Sequence, residues 1–149
     1  MDFRLNILTA AGRILLSLIF VIDGFEKFGS PARTVGQMAG HGLPFAGVLV
    51  WAVIALEFGG GLLLLTGLFT RWIACAYAVY IVVLAFMFHP YWGGLPADQV
   101  RAQHTAFYEH LGLVGGMLYV MALGAGDWSL DGWLRRQTQP ASVALFTAH

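Results

Sequence analysis

Polar residues in this chain gather between long apolar stretches instead of alternating with apolar residues inside them. Four apolar segments result. The first runs from about Ile7 to Phe28 around the core ILLSLIFVI, Ile14–Ile22; the others are Phe45–Phe69, Trp72–Phe88 and Phe107–Leu123. A helix needs about 20 predominantly apolar residues to cross the hydrocarbon of a bilayer, so each segment is read as one span. The pattern predicts an all-α fold, a four-helix transmembrane bundle.

The connections are short except two. Gly29–Pro44 carries GSP and GHGLP and is read as a loop with a helical turn at Pro31–Ala39. Pro90–His104 contains PYWGGLP. The third helix should stop at His89, because the residue before a proline is pushed out of helical geometry. Tyr91 and Trp92 suit the aromatic belt of the interface. Asp98–His104 is expected to begin a helical turn leading into the fourth span. Residues 1–136 are read as one transmembrane domain and 137–149 as a flexible tail. The first segment is no cleaved signal peptide on this reading. Asp23, Glu26 and Lys27 follow it, without a small-residue cleavage site.

Four spans place both termini on one side. That side carries Arg4, Arg13, Arg71, Arg135 and Arg136; the other carries Lys27, Arg33 and Arg101. The positive-inside rule therefore puts the N and C termini in the cytoplasm.

Composition strengthens the membrane reading. The 149 residues are 58% hydrophobic and 11% charged, with a mean hydropathy of +0.72. Soluble domains carry about 25% charged residues. Eight basic and eight acidic residues cancel, and no basic stripe invites nucleic acid. Cys75 is the single cysteine, which excludes an internal disulfide or dithiol exchange within the chain.

Glu57 stands at the middle of the second segment. A carboxylate there costs about 2.5–3.5 kcal/mol on insertion scales, so it implies a partner, a proton or a task. Gly59, Gly60 and Gly61 follow it and let a helix or a small ligand come close. Two readings stay open: a structural carboxyl bonded to a neighbouring helix, and a proton acceptor or ligand contact.

Antiparallel packing predicts two polar layers. The inner one holds Arg13, Arg71, Asp127 and Asp131, read as structural ion pairs, with an anionic-lipid or carboxylate site as the functional alternative. The outer one holds Asp23, Glu26, Lys27, His41, His89, His104, Glu109 and His110. Asp23 and Lys27 are four apart and can pair on one face. His89 and His110 are expected close together, with Glu26 and Lys27 facing them. Imidazoles and carboxylates bind transition metals and carry protons near neutral pH. No spacing here is diagnostic: His104 and His110 are six apart, and adjacent Glu109 and His110 diverge on a helix. Candidates for ligand binding or proton handling are therefore Arg13, Glu26, Lys27, Glu57, His89, Glu109 and His110. No metal is assigned, His41, His89 and His110 being the weak candidates. Tyr77 and Tyr80, three apart, read as a packing stripe. Motifs for haem c attachment, flavin, dinucleotide or iron–sulfur binding are missing from the sequence.

GRILLSLIFVIDGFEKF resembles the first helix of DoxX-type membrane proteins, and ALEFGGGLLLLTGLFTR their second helix with its following arginine. FHPYW and FYEHLGLVGGMLYVMALGAGDWSLDG are similar to the end of their third helix, the fourth helix and a C-terminal SLD-type signature. The resemblance spans about Gly12 to Gly132. It implies a multi-pass protein of the bacterial cytoplasmic (inner) membrane, linked to quinone-dependent redox systems. By position it points to Arg13, Glu57, Arg71 and Asp131, without a catalytic role for any. One departure is Glu109-His110, where relatives often have a lysine–asparagine pair.

Three functions are consistent with these features. The first is a membrane redox component that binds a quinone or a similar small apolar molecule. The second is a proton-coupled carrier with Glu57 facing a small cavity. The third is an anchor that docks a soluble or membrane oxidoreductase subunit. Whether the chain is itself an enzyme is left open, as is a homo-oligomer; the lipid bilayer is the one partner all three share.

Overall fold

The structure, a computed structural model, describes residues 3–138. Its elements are α1 (Phe3–Gly29), α2 (Pro31–Gly40), α3 (Ala46–Ile54), a π-helical turn (Ala55–Gly59), α4 (Gly60–Thr66), α5 (Thr70–Phe88), α6 (Ala97–Leu123) and α7 (Leu130–Thr138). No strand occurs among the described residues. Four spans follow: α1, the composite Ala46–Thr66, α5 and α6. The predicted all-α bundle is the fold.

α5 and α6 form the most closely packed pair, and α1 lies along the π-turn and α4 while touching α6. Phe20, Leu64, Ala74, Tyr77, Ile81 and Met117 form the shared core. Phe20 stacks on Tyr77 with centroids 3.9 Å apart and planes 17° from parallel. Leu15, Val79 and Tyr119 point outward, as residues solvated by lipid do. Among lipid tails, association depends on close packing, which small residues permit. A Cβ on Gly24 would lie 2.5 Å from the Phe58 backbone nitrogen. That glycine lets α1 press against the π-turn.

α4 packs against α5, but α3 makes no comparable contact with it. The second span therefore leaves a gap on the α3 side, and α2 folds over the end of that gap against α3.

The expected stop at His89 is found: α5 ends at Phe88 and His89 caps it. The helical turn in the first loop is α2, with Pro31 at its start. The helical turn expected at Asp98–His104 is found: the fourth helix begins at Ala97 and runs unbroken to Leu123. Pro96 precedes it, and Asp98 in its first turn complements the helix dipole. α7 was not expected. The tail read as starting at Gln137 begins with the last two residues of α7, and its remainder lies outside the described residues.

Candidate functional site

The π-turn sets the site. An inserted residue widens the helix there and leaves carbonyl oxygens with spare acceptor capacity. Tyr77 Oη donates to the carbonyls of Leu56 at 2.9 Å and Glu57 at 3.0 Å. Gly60 makes room for that hydroxyl, since a Cβ on it would sit 2.9 Å from Tyr77 Oη. The turn thus meets α5 through hydrogen bonds, and Glu57 is turned toward the gap beside α3.

Glu57 is 3% exposed. Tyr80 Oη donates to its Oε1 at 2.6 Å, and Lys27 Nζ lies 2.6 Å from its Oε2. The Tyr80 contact is short, as a hydrogen bond to a carboxylate is, and the Lys27 contact is an ion pair, Glu57 Oε2 having no hydrogen-bond partner. A buried ion pair repays its desolvation only with such additional hydrogen bonds. Lys27 therefore reaches inward to Glu57 instead of pairing with Asp23 on its own helix. Asp23 is exposed and has water and headgroups to solvate it.

A cavity of about 410 Å³ opens over this cluster between α2, α3, α5 and α6. Met38, Leu49, Val53, Val83, Leu84 and Met87 give it apolar walls. Its polar groups are Lys27, Glu57 and Tyr80, with Gln37, His41, His89 and His110. A largely apolar cavity with a few convergent polar groups is the usual form of a small-molecule site.

The structure brings His89 and His110 together, with ring centroids 4.7 Å apart. His110 Nδ1 lies 2.7 Å from the Ala106 carbonyl, which can only accept. That nitrogen is therefore the donor, and in the neutral ring Nε2 is the free acceptor. His89 Nδ1 lies 2.7 Å from Gln103 Oε1. His41 packs on Phe88 at 4.4 Å. His104 stands apart, against Tyr91 and Tyr108. Among the described residues no group of three or more His, Cys, Asp or Glu side chains could hold a metal ion. Glu26 lines a neighbouring polar cleft, not this cavity. Glu109 is exposed and lines neither.

Arg13, Arg71 and Asp131 lie at the other end of the bundle, away from the cavity. Their expected ion pairing takes another form. Arg13 is buried; its Nη1 donates to the carbonyls of Leu64 (2.7 Å) and Leu65, and its Nη2 to Trp128 (2.9 Å). It adds a donor to two carbonyls at the end of α4, of which Leu64 O also accepts from Gly67 N, and ties them to Trp128. Both Asp131 oxygens accept from the N-terminus of α5, from Phe69 N and Thr70 N at 2.9 Å each. That is an N-cap contact supplied from a distant segment. Arg71 Nη2 lies 3.4 Å from the Ala122 carbonyl. Asn6 donates to Asp127 Oδ2 at 2.8 Å, and this bond holds the Asp127 carboxyl below its ordinary pKa.

Sequence reasoning passed over Tyr80 and Tyr77, reading them as packing. A tyrosine hydroxyl within a span must find an acceptor, and a mid-span carboxylate must find donors. That mutual need was a usable signal.

The sequence model of the DoxX family matches residues 8–90. The chain belongs to the DoxX family. The matched stretch contains Lys27, Glu57, Tyr77, Tyr80 and His89, but not His110. Inner membrane protein YqjF of Escherichia coli K12 is 34% identical over 125 residues, covering 84% of this chain and 90% of that protein. Inner membrane protein YphA of the same organism is 30% identical over 125 residues, covering 84% and 89%. No solved structure matches significantly. With four spans and these relatives, this DoxX protein is a multi-pass protein of the bacterial inner membrane.

Proposed function

We propose that this DoxX protein binds a small, mostly apolar molecule with a polar head of the quinone type in the cavity over Glu57, as part of a membrane redox system. One observation carries the reading: a 410 Å³ apolar cavity ends on Glu57, which is ion-paired with Lys27 and hydrogen-bonded by Tyr80. The residues present fit such a group. Lys27 offers ammonium protons to a ring oxygen, while Nε2 of His110 is the ring nitrogen left free to meet a ring hydroxyl. Apolar walls suit a ring with alkyl substituents. A bound quinone would supply the electron chemistry. The chain's own residues orient the head, exclude water and hold a proton at Glu57. Arg13, Glu26 and Glu109 are left with structural or surface roles.

A second reading is a proton-coupled carrier. It is favoured by Glu57 itself, since buried carboxylates within spans commonly serve proton relays. An anchoring role for an oxidoreductase subunit needs no cavity and is the weaker account. The arginine distribution supports a cytoplasmic side for both termini. A reporter fused after Arg136 is expected inside, and one inserted near Gly94 outside.

The test is organic extraction of detergent-purified protein followed by mass spectrometry. The expected result is a quinone or similar apolar molecule near one per chain, lost in Leu84→Trp, which fills the cavity. Retention of nothing beyond lipid, in wild type and variant alike, would overturn the ligand reading. Proton-coupled uptake into vesicles would then favour the carrier.

A further inference from the structure

Two hollows meet at one side chain. The apolar cavity and the polar cleft at the outer end of α1 share Lys27 and Gln37 in their walls. The cleft, about 450 Å³, is otherwise bounded by Asp23, Glu26, Ser30 and Arg33. Asp23, Glu26 and Ser30 are exposed to solvent. The side chain of Lys27 is 26% exposed and that of Glu57 only 4%. One side of the ammonium thus faces the cleft, and the other meets the carboxylate 2.6 Å away. The hydrogen-bond donor to Glu57, Tyr80, belongs to the helical wall and does not line the cleft.

We infer that the cleft is the aqueous proton entry to Glu57 and that Lys27 is the residue through which the proton passes. This rests on the reading of Glu57 as the proton-holding group of the cavity. In the transfer a Lys27 N–H bond breaks and a Glu57 Oε2–H bond forms. A neutral amine and a neutral carboxylic acid remain, with no charge left buried. The amine then takes a proton from hydronium in the cleft. Asp23 and Glu26 place negative charge along the entry and raise the local proton concentration, and Arg33 opposes them in part. The other titratable groups around the pair are Tyr77 and Tyr80 of α5, with His89, His110 and His41 across the cavity. The arrangement separates two routes. An apolar ligand enters from the bilayer between α3 and α5, while its proton enters from water past α1 and α2.

The experiment uses the full chain in detergent without added quinone. Time-resolved infrared spectroscopy after an acid jump follows the carboxylic C=O stretch of Glu57, assigned by its loss in Glu57→Gln. Each variant is first titrated so that every jump crosses its own midpoint. Ser30→Trp fills the cleft and leaves the ion pair in place. Ser30 is exposed and its side chain makes no cap hydrogen bond, so the fold tolerates the change. Lys27→Met removes the relay. Both variants should slow protonation of Glu57 by at least about tenfold, a conservative threshold beside the roughly 100-fold or more that a positioned proton-transfer group contributes. Wild-type rates in Ser30→Trp overturn the inference, whether or not Lys27→Met folds. Slowing by His89→Gln with His110→Gln, but not by Ser30→Trp, also overturns it and moves the route to the histidines. Because no ligand takes part, slowing in Ser30→Trp together with an empty extract would remove the quinone reading and leave the proton route standing.

Discussion

Replacing Tyr77 by phenylalanine removes one hydroxyl and tests whether the π-turn depends on it. Its single proton is shared between two carbonyls, Leu56 O and Glu57 O, and the residue is fully buried. A net contribution of about 0.5–1.5 kcal/mol per hydrogen bond is usual. Hydrogen bonds between membrane helices average about 0.6 kcal/mol. The one proton is shared between the two carbonyls, so the expected loss is about 0.5–1.5 kcal/mol. Gly60 sharpens the test. A Cβ there would lie 2.9 Å from Tyr77 Oη and 3.3 Å from Cζ, so Gly60→Ala collides first with the hydroxyl. Overpacking of this kind costs about 1–3 kcal/mol. In the Tyr77→Phe background the nearest atom is the ring carbon, and a small tilt of the ring relieves the contact. The double variant should therefore be more stable than the sum of the single losses by about 1 kcal/mol, a coupling expected of touching residues. Folded fraction against denaturing detergent, followed by circular dichroism, measures the cycle. Strict additivity, or a neutral Tyr77→Phe, would refute the claim that this hydroxyl holds the turn.

Arg13→Gln should cost about 3 kcal/mol or more, since it strips charged hydrogen bonds from three carbonyls; thermal unfolding in detergent, with Arg71→Gln as the mild control, checks it. Asp127 lies outside the spans, and its folded pKa is depressed by the Asn6 amide. Its contribution is thus full above the ordinary carboxylate pKa of about 4 and is lost as pH falls through the lower folded value. Asn6→Leu should flatten the acid side of a melting-temperature profile and leave its alkaline side unchanged.

The spans were legible because lipid imposes one simple demand, a long apolar helix. The stop at His89 was legible through the fixed backbone of Pro90. The upstream turns of α6, Asp98 to His104, were legible as helical because polar residues can continue a helix once they leave the hydrocarbon. The π-turn was invisible, since Ala55–Gly59 has the composition of any apolar helix and differs only in which carbonyls Tyr77 reaches. Glu57 and the approach of His89 to His110 followed from position along antiparallel spans. The partner of Lys27 did not: local spacing favours Asp23, and only tertiary packing shows that a buried carboxylate needs the cation more. Arg13 and Asp131 look like an ion pair in sequence. In the fold each closes a different helix end, a role set by the crossing of the 124–129 segment over α4 and α5.

The central claim, an apolar ligand bound over Glu57, is tested most directly by photo-crosslinking. A quinone analogue with a photoreactive group on its ring would be irradiated with the protein in lipid nanodiscs, and labelled peptides sequenced by mass spectrometry. The account predicts labels at Val53, Leu84 and Met87 that saturate and that excess quinone removes. Labels spread over lipid-facing residues such as Leu15, Val79 and Tyr119, and indifferent to competitor, would contradict it.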